Sequence, residues 1–194
     1  MNKGDYISAI LRAKGTVFTA SEIMLIWNET GSAAARARIN YYARNGDIYR
    51  IRRGIYAKDK DYNRRELATK VYIPSYVSFE TVLAEAGIIS QFYKQIFVAS
   101  YLSRELEIGG QKYAYKHIKD EILTNPSGIV NDSTFSTASA ERAFLDVVYL
   151  NVDYHFDNLR PLNWERVFEL LPIYGGIRRM EEVVRKIYKS YQTE

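Results

Sequence analysis

Between positions 36 and 44 the chain carries Arg36, Arg38, Asn40, Tyr41 and Arg44, followed shortly by Arg50, Arg52, Arg53 and Lys58. Guanidinium and ammonium groups neutralise phosphates, an arginine fork matches the major-groove edge of guanine, and asparagine matches that of adenine. Such residues at this density point to recognition of a polyanion. The charge distribution agrees. Residues 1–60 hold eleven Lys/Arg against five Asp/Glu, a net +6 in a chain whose total is +4, so the remaining 134 residues carry −2. A basic head on a near-neutral body is expected when one part meets nucleic acid and the other has a separate task.

Other chemistries find less support. The chain has no cysteine, which excludes disulfides, thiol catalysis and every cysteine-containing zinc site. His117 and His155 are the only imidazoles and share no close motif, so neither a metal nor any other cofactor is expected. The carboxylates worth testing are Glu80, Glu85, Glu105, Asp120, Glu141 and Asp146. A metal-dependent nuclease wants an acid followed two residues later by Glu-x-Lys, and Glu105-Leu-Glu107 with Gln111-Lys112 does not supply that spacing. Gly109-Gly110 reads as a hairpin turn rather than a phosphate cradle, and neither Gly-x-x-x-x-Gly-Lys nor Gly-x-Ser-x-Gly occurs. Arg142 and Asp146 stand at i, i+4 spacing, which predicts an ion pair within one helix. Glu80 reads first as a structural hydrogen-bond acceptor.

The elements that must position the basic residues follow from periodicity. Tyr6, Ile7, Ile10 and Leu11 recur at helical spacing, predicting a helix over 5–14 that stops at Gly15. Thr19-Ala-Ser-Glu22 has the form of a capping box, with Ile23, Leu25, Ile26 and Trp27 behind it. A third helix over 32–45 ends at Gly46. On that helix Ala35, Ile39, Tyr42 and Ala43 face the core. Ala34, Ala37, Tyr41 and Arg44 face outward, flanked by Ala33, Arg38 and Asn40. Small alanines on the outward face let the backbone approach the bases. Asn40 suits adenine, Arg38 and Arg44 suit guanine or phosphate, and Arg36, nearer the core margin, suits phosphate.

Residues 47–52 and 55–58 are β-prone runs joined by Arg53-Gly54, a two-residue hairpin turn. Strict alternation would put Arg50 and Arg52 on one face of that ribbon and Tyr49 and Ile51 on the other. Helix, helix, helix and basic hairpin is the order of a winged helix-turn-helix. Arg50, Arg52, Arg53 and Lys58 are then the wing that grips the sugar-phosphate backbone.

The polar stretch over 58–63 reads as a boundary, giving a winged helix-turn-helix over 1–60 and a mixed domain over 61–194, an α+β chain overall. In the second part the patterns predict helices over 65–71 and 78–85, the latter capped by Ser78. A buried strand follows over 95–101, with a hairpin over 105–108 and 112–116. A loop over 124–137 is interrupted at Ile129-Val130, and helices return over 140–150, 163–171 and 177–191. The expected location is cytoplasmic: no apolar run reaches the ~18–20 residues that span a bilayer, no signal-like stretch opens the chain, and no membrane partner is expected.

Three segments resemble the AbiEi family, the antitoxins of type IV toxin–antitoxin systems. Phe18-Thr-Ala-Ser-Glu-Ile with the run from Ala37 to Tyr56, ending in Arg-Gly-Ile-Tyr, is similar to the family's N-terminal winged helix. The stretch from Pro74 to Gly87 resembles its Pro-x-x-x-Ser-x-Glu-x-x-Leu-x-x-x-Gly segment. Ala138-Ser-Ala-Glu-Arg-Ala-Phe-Leu-Asp resembles its downstream helix. The resemblance implies a non-enzymatic repressor that binds double-stranded operator DNA of its own operon and opposes a cognate nucleotidyltransferase-type toxin. Similar N-terminal domains also occur joined to other C-terminal parts, nuclease-like ones included. A winged helix with an enzymatic, nuclease-like or toxin-modifying C-terminal domain therefore stays open, as does a protein-binding module.

Overall fold

The computed structural model describes residues 3–29, 31–132 and 134–193, which group into two units. The first ends at Ile73 and also takes in Thr134 and Phe135; the second begins at Pro74. Helices and sheets are mixed along the chain, an α+β arrangement. No helix among the described residues is long and apolar enough to cross a membrane.

In the first unit α1 (Lys3–Arg12), β1 (Val17–Thr19), α2 (Ala20–Ile26), α3 (Ala33–Asn45), β2 (Tyr49–Arg52), β3 (Ile55–Ala57) and α4 (Arg64–Val71) follow in order. Local chemistry sets most of these boundaries. The capping box forms as its sequence predicts: Thr19 Oγ1 accepts from the Glu22 amide at 3.2 Å, and Glu22 Oε2 accepts from the Thr19 amide at 2.7 Å. Ser32 caps α3, and Gly46, at φ 81°, ends it in the left-handed conformation that glycine adopts without a Cβ penalty. Ile10, Ile23, Trp27, Ala35, Ile39, Tyr42 and Ile48 bury their side chains in one core, so the three helices and the hairpin share a single apolar centre.

The strand β1 lies in a stretch the periodicity leaves unassigned. It pairs antiparallel with β3, which also pairs with β2, giving a three-stranded sheet in the order β1-β3-β2. The unit runs on past residue 60 because α4 is tied to β1. One carboxylate oxygen of Glu66, itself only 2% exposed, accepts from the amides of Thr16 at 2.6 Å and Val17 at 2.8 Å and from the Thr16 hydroxyl at 3.0 Å. Lys70 on the same helix binds Glu22.

The second unit is built on a six-stranded mixed sheet. Its strands are β4 (Ser75–Val77), β5 (Ile96–Ser100), β6 (Arg104–Ile108), β7 (Gln111–His117), β8 (Ile129–Asp132) and β9 (Phe135–Ala138), in the order β6-β7-β5-β4-β9-β8. Gly109 and Gly110 join β6 to β7 as an antiparallel hairpin, both at positive φ. The segment read as a loop over 124–137 supplies β8 and β9 instead, and β9 runs parallel to β4.

The helices are α5 (Glu80–Glu85), α6 (Asp120–Leu123), α7 (Ala140–Leu150), α8 (Trp164–Leu170) and α9 (Arg178–Thr193), with a 3₁₀ turn over Leu171–Tyr174. The helix α7 packs against α5, α8 and α9 and buries every residue from Arg142 to Val148. A helix apolar on nearly all sides belongs in the middle of a fold.

Ser78 is not a helix cap. Phe79 takes the position before α5 with φ 55°, a costly conformation for a bulky residue, and makes no side-chain cap. The Ser78 hydroxyl donates to Asp146 at 2.7 Å instead. A buried carboxylate claims the oxygen that the helix end would otherwise use.

Candidate nucleic-acid interface

The helical angle separates the two sides of α3 as expected. Ala35, Ile39 and Tyr42 are buried, while Ala34, Ala37, Tyr41 and Arg44 are exposed. Arg36 and Arg44 on α3, Arg50 and Arg52 on β2 and Arg53 in the turn are all exposed. None of these five makes an ion pair among the described residues. They lie on consecutive elements of one unit, so the first unit presents uncompensated positive charge on both the helix and the hairpin.

The other residues named for this surface have local partners. Arg38 Nη1 lies 2.6 Å from Glu29 Oε1, and its guanidinium sits 3.9 Å from the centre of the Tyr6 ring. Its charge is therefore already met, and its side chain is 28% exposed. Asn40 Oδ1 accepts a long hydrogen bond from the Tyr56 hydroxyl at 3.5 Å, although the residue is exposed. Tyr41 is 43% exposed, with its ring edge-on to Tyr42 at 5.7 Å. Lys58 is half-buried and donates to the carbonyl of Ala13, tying the end of β3 to the chain after α1.

The hairpin departs from strict alternation. Arg50 pairs with Tyr56 and Arg52 with Ile55, so β2 advances two residues while β3 advances one. Ile51 is the extra residue of a bulge, which breaks the alternation that would place both arginines on one face. Both remain exposed.

In the second unit the candidate carboxylates differ in burial and partners. Glu80, 7% exposed, accepts from Lys116 Nζ at 2.9 Å through each oxygen. That ammonium also lies 4.8 Å from the Phe79 ring centre and 4.5 Å from that of Phe97. Glu141 Oε1 accepts from the Asn163 amide at 3.2 Å. Glu85, Glu105 and Asp120 are exposed.

Asp146 is the centre of a buried network. Its oxygens take hydroxyls from Ser78 at 2.7 Å, Tyr174 at 2.6 Å and Tyr76 at 3.1 Å. Arg142, likewise wholly buried, lies beside it with Nε 3.4 Å from Oδ1 and donates to the carbonyls of Ser127 at 2.9 Å and Ile122 at 2.6 Å. Burial, and next the charge of Asp146, push the Tyr76 and Tyr174 hydroxyls above the ordinary tyrosine range, so both stay protonated donors. Burial also lifts the Asp146 carboxyl above the usual aspartate value, against the pull of Arg142 and the three hydroxyls. The expected intrahelical pair is therefore present, but as the anchor of β4, α6, α7 and the 3₁₀ turn rather than as a surface bridge.

Among the described residues no three His, Asp or Glu side chains gather as a metal site. Compared with known protein families and with curated proteins, the chain matches none, so neither comparison identifies an AbiEi-type antitoxin.

Proposed function

We propose that the first unit is a winged helix-turn-helix that binds double-stranded DNA, with α3 entering the major groove and the β2–β3 hairpin acting as the wing. In this reading the chain is a cytoplasmic operator-binding repressor of its own operon. The resemblance of its motifs extends the proposal to an antitoxin opposing a nucleotidyltransferase-type toxin. The observation that carries it is the set of exposed, unpaired arginines on α3 and the hairpin of one unit: Arg36, Arg44, Arg50, Arg52 and Arg53. Keeping five guanidinium groups free of carboxylates on adjoining elements is what phosphate recognition requires.

The exposed alanines Ala34 and Ala37 support a close approach of the α3 backbone to base edges, with Asn40, Tyr41 and Arg44 in reach of them. With Glu29 holding Arg38, base and phosphate contacts fall to the remaining arginines, and Arg38 and Lys58 serve to brace the surface. We read the second unit as non-enzymatic. Its two buried acids of interest are taken up structurally, Glu80 by Lys116 and Asp146 by Arg142 and three hydroxyls.

The test is a titration of the purified chain with the duplex upstream of its own gene, over a range of salt and against random duplex. Clear preference for the upstream duplex, with log K falling steeply against log salt, is the expected result. Equal affinity for random DNA removes the autorepressor, and no binding at low salt removes DNA recognition altogether.

A further inference from the structure

We propose that the second unit carries a small-molecule site for a planar anion, an aromatic ring bearing a phosphate or carboxylate, in the cavity between α9 and the α8–3₁₀ corner. The cavity is about 690 Å³, within the range of small-ligand sites. Its walls combine the two things such a ligand needs. Phe168 and Tyr188 meet edge to face, ring centres 5.2 Å apart at 79°, and form an aromatic corner above Leu171. Arg185 and Lys189, one helical turn apart on α9, line the same space, with the Arg185 guanidinium 5.7 Å from the Phe168 ring centre.

The charge at this cavity is net positive. Arg185 and Lys189 are exposed and make no ion pair among the described residues. Elsewhere on the same two helices Arg178 pairs with Glu182 at 2.8 Å and Arg166 with Glu169 at 2.6 Å. Two like charges at i, i+4 repel, and an anion seated between them removes that repulsion. Glu181 is the one acid in the lining and leaves the site net positive. Its carboxylate is placed to accept a ring amine or a sugar hydroxyl. The rings supply a stacking surface, the cations fix the anionic end, and one acceptor remains for a donor group on the ligand.

This site does not depend on DNA binding, so either reading can fail alone. The experiment is isothermal titration of the full chain with adenosine 5′-monophosphate and with indole-3-acetate, alongside adenosine and inorganic phosphate. Trp164 emission is a second readout, since its ring centre lies 4.9 Å from that of Tyr188. At least one of the two ring-bearing anions should bind, with adenosine and phosphate each weaker by about tenfold or more. Binding of the nucleotide alone marks a nucleotide site, and binding of the indole acid alone marks an aromatic-acid site.

The double variant R185A/K189A removes only exposed groups. It should keep the wild-type circular dichroism and melting temperature while losing about tenfold or more in affinity. Four results overturn the proposal: no binding of either anion at millimolar concentration, adenosine binding as well as its monophosphate, phosphate binding as well as either ring-bearing anion, or undiminished binding by R185A/K189A.

Discussion

Arg142 and Asp146, one turn apart on α7, are both wholly buried, and the carboxylate of Asp146 collects three hydroxyls from two other segments of the second unit. Removing the acid would strand an arginine charge and three hydroxyls away from water. Asp146→Ala should therefore cost about 3–5 kcal/mol of unfolding free energy, the usual penalty for breaking a buried pair. Urea denaturation of the full chain measures it, and a loss below about 1 kcal/mol would mean that water enters and replaces the acid.

Stability should fall on acidification through two glutamates of the first unit. Glu29 is held below the ordinary glutamate value of 4.5, foremost by the hydrogen bond from Tyr6 and also by Arg38. Burial pushes Glu22 up, but Lys70 and the Thr19 amide outweigh it and leave it low as well. As the pH drops, the unfolded chain takes up these protons first, so their contribution is complete above the unfolded pKa and drains away as the pH falls through the folded values. Melting temperature followed from neutral into acid should decline below about pH 5. Glu29→Gln should flatten that decline, and an unchanged slope would show that Glu29 binds its proton equally well in both states.

Arg36→Ala and Arg50→Ala each remove an exposed, unpaired charge. Each should weaken DNA binding by a similar factor on every sequence and reduce the slope of log K against log salt by about 0.9. An unchanged salt slope in both would place the DNA elsewhere.

Arg38→Ala should act differently from its neighbour. It removes the Glu29 bridge and the stack on Tyr6, a side chain packed against the core of the first unit. A melting temperature lower than that of Arg36→Ala, with a smaller change in salt slope, is the expected pattern, read by calorimetry and by DNA titration. The reverse order would mean that Arg38 leaves Glu29 to meet a phosphate.

Where the sequence was legible, the deciding chemistry was local. Thr19 and Glu22 identify the start of α2, Gly46 the end of α3, and Gly109-Gly110 the β6–β7 turn, because each acts within a few residues. Helical angle alone assigned Ala35, Ile39 and Tyr42 to the buried side of α3. Ser78 was misread because its partner, Asp146, lies sixty-eight positions away. The short strands β1, β8 and β9 gain their definition from pairing rather than from propensity. The bulge at Ile51 turns on a one-residue register choice that alternation cannot reveal. At the basic surface the exposure of Arg44 was legible; Arg36, which helical angle sets nearer the core margin, is exposed as well, and the engagement of Arg38 by Tyr6 needs α1 folded against α3.

The Glu66 carboxylate, beneath the amides of Thr16 and Val17, sets where this chain can be cut. A fragment trimmed at the polar stretch over 58–63 keeps every arginine of the basic surface yet discards the acceptor that holds β1. A fragment extended through Ile73 carries its own acceptor and the Lys70 partner of Glu22. Grafting the basic head onto a foreign carrier, or crystallising it alone, calls for the longer piece; the shorter would leave the edge of a three-stranded sheet with amides bonded to nothing but solvent.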